Sequence, residues 1–92
     1  MSEPSDILEE ARKIIYGRRE QDYGPPKVNF QRIATGWSII FGCDVTPQQV
    51  ALGMIWLKTA RLVENPFDHD GRLDVIGYTL CLERLDEKEE DK

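Results

Sequence analysis

The sequence predicts an all-α fold: one four-helix, bundle-like domain whose central helix covers about 46–63. Three observations carry that prediction. Apolar residues recur at intervals of three and four in four separate segments, and no segment alternates with the period of two expected of a strand. Helix start and stop residues fall between those segments. The clearest is Thr46-Pro47-Gln48-Gln49, where an N-cap hydroxyl, Pro at the first helical position and Gln at the third make a capping box. In 50–63, ten of fourteen residues are apolar and the only charges are Lys58 and Arg61, so this helix is expected to be the most buried and covered on most sides.

Taken in order, Ser5 or Asp6 can cap the first helix, with Glu9 three residues after Asp6, and Ile7, Leu8, Ala11, Ile14 and Ile15 supply its core face. Glu9 and Lys13, four apart on the other face, read as a solvated ion pair. Gly17 is expected to end this helix, because Arg18-Arg19-Glu20-Gln21-Asp22-Tyr23-Gly24-Pro25-Pro26 is charged and rich in Gly and Pro. That loop has two readings: a turn that starts the second helix, or a rim in which Arg18, Arg19, Asp22 and Tyr23 offer guanidinium groups to phosphate and an aromatic face to a base.

The second helix, 28–41, carries Phe30, Ile33, Ala34, Trp37, Ile40 and Phe41 on one stripe, with Gly36 as a possible point of close helix approach. Trp37, as a stripe member, reads as packing rather than as a ligand platform. After the third helix, Glu64-Asn65-Pro66-Phe67 is a stop, and a fourth helix runs from about 70 to 85. Short connections point to an antiparallel bundle. The helical domain is therefore 1–85, and 86–92 is a charged C-terminal tail.

The chain has 92 residues with 12 basic and 17 acidic side chains, a net charge of -5. From Glu83 onward there are six acids against three bases, so the body is close to neutral and lacks the basic excess that nucleic-acid binding draws on. A helix-turn-helix reading of 46–51 fails because no recognition helix follows before Val63. Two cysteines, Cys43 and Cys81, and one histidine cannot build a structural zinc site. The N-terminus shows no signal peptide and no apolar run is long enough to span a bilayer, so a cytoplasmic protein with free thiols and no membrane partner is expected. A core this small also makes a homo-oligomer an expectation.

The constellation that could carry chemistry joins helices three and four. Asp70 and Asp74 lie one turn apart on a stripe that continues to Gly77, Tyr78 and Cys81, with Asp68 just before it. The five-residue link makes those helices neighbours and brings Lys58 and Arg61 near the two acids. Such a cluster is either a set of ion pairs fixing helix register, or a site in which Asp70 and Asp74 hold Mg²⁺ while Lys58 and Arg61 take phosphate oxygens. His69 reads either as a proton carrier or as an exposed spacer. Ser38 and Thr59 have no histidine at an informative distance, so covalent catalysis is not expected.

Three blocks carry a resemblance: Arg19-Glu-Gln-Asp-Tyr-Gly-Pro-Pro-Lys-Val-Asn-Phe30, Lys58-Thr-Ala-Arg61 and His69-Asp-Gly-Arg-Leu-Asp-Val-Ile-Gly-Tyr78. Together they resemble a family of small helical phage and prophage proteins known as a domain of unknown function, over 7–85. More distantly, acids on helices around a phosphate site are similar to all-α nucleotide pyrophosphohydrolases of the MazG and dUTPase type. That resemblance implies Mg²⁺-dependent hydrolysis of a nucleoside triphosphate. The chain departs from those enzymes' paired E-x-x-E and E-x-x-D motifs: its first helix offers Glu9 and Glu10 without a second pair, and its fourth offers Asp70 and Asp74 four apart. The expectations are a Mg²⁺-dependent binder and hydrolase of a nucleotide. The alternative is a non-catalytic phage accessory protein that holds a nucleotide signal or a host protein.

Overall fold

A computed structural model describes residues 3–86, and the expected 86–92 tail lies, apart from Asp86, outside the described residues. The described residues form four helices. The first, α1, is continuous through three segments: Pro4–Lys13, a π-helical turn at Ile14–Arg18, and Arg19–Tyr23. α2 is Pro26–Phe41, α3 is Pro47–Glu64 and α4 is His69–Leu85. No helix among the described residues is long and apolar enough to cross a membrane.

The first helix differs from its sequence reading at both ends. It starts earlier, with Glu3 as N-cap, Pro4 at the first helical position and Asp6 Oδ2 accepting the Glu3 N–H at 3.1 Å. It also continues through Gly17 and the charged segment expected to be a loop. The chain leaves the helix only at Gly24, where φ is +83°, a conformation that a side chain disfavours, and Pro25-Pro26 then opens α2. Gly17 does not stop the helix because the turn around it widens: the Arg19 N–H bonds the Ile14 carbonyl, five residues back. Gly42, with φ +70°, ends α2 as a left-handed cap.

The Thr46 capping box forms as read: Gln49 N–H donates to Thr46 Oγ1 at 3.1 Å, and Thr46 N–H to Gln49 Oε1 at 2.9 Å. Ser38 secures the preceding corner by accepting the Val45 N–H at 2.8 Å and donating to the Ala34 carbonyl at 2.8 Å. Its hydroxyl is a structural staple.

The central element is α4, not α3. It packs on α1, α2 and α3 alike, most extensively on α3. Lys58 meets Asp74 and Gly71 sits under Leu62, the register of an antiparallel hairpin between α3 and α4. α1 instead runs in the same direction as α4, because Glu10 meets His69, Ile15 lies by Gly77, and Glu20 meets Arg84. The all-antiparallel arrangement expected from short loops is therefore corrected for α1.

The core is Ile15, Phe30, Ala34, Val50, Ala51, Cys81 and Leu85. Burial of a side chain the size of Phe30 contributes about 1.5–3 kcal/mol. The expectation that 50–63 is the most buried helix and covered on most sides does not hold, since only Val50 and Ala51 of that helix are buried, while Leu52, Trp56, Leu57 and Val63 are exposed. α3 contacts α2 and α4, and its third side faces solvent. Ile40 and Phe41, on the stripe read from the sequence, are exposed too. Gly36 has nothing within 4 Å of where a Cβ would be, so it marks no close approach. Gly71 does: its Cβ would sit 3.0 Å from Leu62 Cδ2 and 3.1 Å from Asp68 Oδ2.

Candidate functional site

Two recesses flank α4 and share Asp74. The larger, about 290 Å³, is lined by Lys58, Arg61, Asp68, Asp70, Gly71 and Asp74. It arises because Gly71 lets α3 approach the first turn of α4 closely, which sets the cations of one helix opposite the acids of the other. The smaller, about 50 Å³, lies between α1 and α4, and Arg19, Asp74, Tyr78 and Cys81 are among its walls. Of the residues that the sequence singled out, Lys58, Arg61, Asp68, Asp70 and Asp74 line the larger recess and Arg19, Asp74 and Tyr78 the smaller, whereas Arg18, Asp22 and Tyr23 line neither.

Within the larger recess Lys58 Nζ stands 3.1 Å from Asp74 Oδ2. The lysine side chain is 18 % exposed and the carboxylate 42 %, so the pair is half-sheltered, with solvent reaching it from the aspartate side. Among the described residues, no ion pair engages Arg61, Asp68 or Asp70. Asp68 occupies the N-cap position of α4 without capping it through its side chain, and its carboxylate lies over the Gly71 backbone. The recess accordingly offers one committed pair, one free guanidinium and two free carboxylates. No three His, Cys, Asp or Glu side chains among the described residues converge closely enough to hold a metal ion by themselves.

At the smaller recess, the Arg19 guanidinium carbon lies 5.2 Å from the Tyr23 ring centre, 5.8 Å from Phe30 and 5.1 Å from Tyr78. A cation over an aromatic face is held by about 0.5–1 kcal/mol when exposed and about 2 when desolvated. Three rings therefore fix Arg19 in place, and Tyr78 is itself tilted against Phe30 at 6.3 Å. One face of Tyr23 is already covered by Arg19. Asp22 points elsewhere, to an exposed contact with Arg18 at 3.8 Å. Burial raises the Cys81 thiol above its ordinary range, with Arg19 and Arg84 opposing that effect, so Cys81 stays a neutral packed group.

Other charges serve to hold elements together. His69 Nε2 lies 3.0 Å from Glu10 Oε1 and ties the start of α4 to α1, which neither a spacer nor a proton carrier required. Arg84 donates to Glu20 Oε1 at 2.7 Å and to the Ile15 carbonyl at 3.4 Å, with its guanidinium carbon 4.3 Å from the Tyr16 ring centre. Thus the π turn is braced by α4. Glu9 pairs with Arg12 at 2.8 Å rather than with Lys13, and that guanidinium holds the Glu9 carboxyl below its usual range. Arg72 donates to the Pro66 carbonyl at 2.9 and 2.6 Å and closes the turn before α4.

Sequence reasoning placed Lys58, Arg61, Asp68, Asp70 and Asp74 together, and the structure does the same. It missed Gly71, whose lack of a side chain shapes that recess. The available signal was a glycine inside an acid-bearing helical turn, where only close packing gives it a reason.

Comparison with known proteins adds a family. Residues 6–86 match DUF6378, a domain of unknown function. The chain is similar to the Gene 55 protein of Mycobacterium phage L5, 44 % identical over 87 residues, covering 94 % of this chain and 56 % of that protein. It is also similar to the Gene 55 protein of Mycobacterium phage D29, 39 % identical over 82 residues, covering 89 % of this chain and 54 % of that one. The chain spans about half the length of these curated relatives. No solved structure matches it. These matches support the phage family of unknown function and lend nothing to the likeness with MazG-type pyrophosphohydrolases.

Proposed function

The chain belongs to the DUF6378 family, and from that premise we propose that its α3–α4 recess binds the phosphate chain of a nucleotide. The observation that carries this reading is the lining of a single recess of about 290 Å³ by two cations, Lys58 and Arg61, and three acids, Asp68, Asp70 and Asp74. Cations alone would suit any anion, whereas cations mixed with carboxylates suit an anion that arrives with a divalent metal. Arg61 is free to fork onto two phosphate oxygens, and Lys58 supplies a point charge beside it. Arg19, held by Tyr23 and Tyr78, lines the smaller recess, where the nucleoside would lie.

The donor set fits Mg²⁺ in one manner. Because no three acids converge, a cage made only of protein is not available. Mg²⁺ commonly keeps several waters and takes one or two carboxylates together with substrate phosphates. Asp70 and Asp74 would hold it, with Asp68 beside them, and the ion would offset the negative charge of the phosphates. The reaction to test is hydrolysis to a nucleoside monophosphate and pyrophosphate: a water oxygen bonds the α-phosphorus, the bond to the β-phosphate bridging oxygen breaks, and the protons of water pass to the products.

A second reading, binding without turnover, is favoured by the same sparse carboxylate set. One experiment separates the two. The protein is incubated with nucleoside triphosphates and Mg²⁺ while pyrophosphate release and thermal unfolding are both followed. Release that disappears in Asp70→Asn supports hydrolysis, a thermal shift without release supports the binder, and neither shift nor release with any nucleotide ends the proposal.

A further inference from the structure

The bare side of α3 is the largest feature that the ligand reading leaves unexplained. Leu52, Trp56, Ala60 and Val63 follow one another at spacings of four, four and three, so they form a single stripe along one helix face, and all four are exposed. Gln49 begins the same stripe, and no charged residue stands on it. The stripe covers about 16 Å from Leu52 to Val63, at 1.5 Å of rise per residue. At the α2 side it is continuous with further apolar surface: a Cβ on Gly53 would lie 3.2 Å from the Trp37 ring, and Trp37 in turn meets Phe41 edge-on at 6.4 Å between ring centres. Phe67 follows Val63 by four residues in the connecting turn.

We propose that this face of α3 is the contact between two copies of this chain, paired about a two-fold axis with their α3 helices antiparallel. Leu52, Trp56, Val63, Phe41 and Phe67 range from 53 % to 83 % exposed, which leaves on the order of 800 Å² of apolar surface in contact with water. That exceeds the roughly 300–600 Å² of the largest patch on a typical monomer and equals the about 800 Å² that each partner contributes to a standard interface. The stripe also complements itself. With the axis near the level of residue 58, Trp56 of one copy faces the partner's Ala60, large against small, and each pairing occurs twice. The strip itself carries no charge, so two copies meeting along it bring no like charges together. The lack of charge also gives an acidic or basic partner nothing to grip. This inference is independent of what the α3–α4 recess binds, since that recess opens on the other flank of α3.

The test is light scattering and sedimentation equilibrium on the 92-residue chain, with Trp56→Glu, Leu52→Glu and a control, Ile39→Glu, which is as exposed but faces away from Trp37 on α2. The expected mass is twice 10.6 kDa for the native chain and the control, and 10.6 kDa for Trp56→Glu and Leu52→Glu, with far-ultraviolet dichroism unchanged in all four. Trp56 emission should shift to the red on dilution of the native protein through the dissociation range. A native chain that stays monomeric, a dimer that survives Trp56→Glu, or monomers that attach to lipid vesicles through this face would overturn the proposal.

Discussion

Removing either member of the Lys58–Asp74 pair measures whether it is a structural clamp, a ligand-facing group, or both. At 3.1 Å the Coulomb attraction is about 1 kcal/mol with the dielectric of water and about 5 kcal/mol at an effective value of 20. Asp74 is 42 % exposed, so solvent screening pulls the result toward the lower figure, and exposed pairs measured by double-mutant cycles give about 0.2–1 kcal/mol. Lys58 is only 18 % exposed, which adds the cost of leaving a sheltered ammonium unpaired. The expected coupling is about 1 kcal/mol. Asp74→Ala should destabilise by about 1–2 kcal/mol, and Lys58→Met with Asp74→Leu should recover most of that loss. In a domain of this size, 1 kcal/mol moves Tm by about 4–8 °C. Thermal unfolding followed by dichroism at several salt concentrations reads all four corners of the cycle, with the coupling shrinking as salt rises. If Asp74→Ala leaves Tm within error of the native value, or if the double substitution loses the sum of the singles, the pair does not exist in solution as described. The same proteins titrated with a nucleotide and Mg²⁺ then show whether the stable double variant has lost binding.

Further outcomes are expected. Arg61→Gln and Asp70→Asn, which break no ion pair among the described residues, should leave Tm nearly unchanged while weakening nucleotide binding by about tenfold, the loss of one charge-assisted contact, as read by calorimetric titration. Gly36→Ala should stabilise by about 0.5–1 kcal/mol because it lies mid-helix with open space around it, whereas Gly71→Ala should destabilise despite the same helix preference, since its methyl would press on Leu62 and Asp68; chemical denaturation compares them directly. Arg84→Ala should lower stability by about 2 kcal/mol through loss of Glu20, the Ile15 carbonyl and the Tyr16 stack, measurable in the same way. In alkylation followed by mass spectrometry, exposed Cys43 should react first and buried Cys81 only with unfolding. Because the Cys81 thiol is raised in the folded state, the part of stability linked to it is fully present below the ordinary thiol range and declines as pH rises through the folded value.

The parts of this protein legible in the sequence are those fixed by local spacing. Thr46 and Gln49 had to form their capping box because hydroxyl, proline and amide stand at the intervals the first helical turn demands. Lys58, Arg61, Asp70 and Asp74 meet because two periodic helices joined by a short link, the four residues 65–68, fold back on each other. The end of the first helix was not legible. Gly17 carries the usual stop signal, yet a wider turn absorbs it, and the helix goes on because Arg84, Phe30 and Tyr78, residues from distant segments, hold its last turns in place.

The sequence by itself determined an all-helical chain, its four periodic segments and the meeting of cations with acids across α3 and α4, because each follows from intervals of three and four residues. Only the tertiary structure decided that α4 rather than α3 is central, that α1 lies parallel to it, and that Trp56 and Val63 face outward. The physical reason is that composition states how much surface a helix would hide, whereas the number of neighbours that reach it settles how much is hidden. With four helices and one of them in the middle, α3 is covered on two sides only.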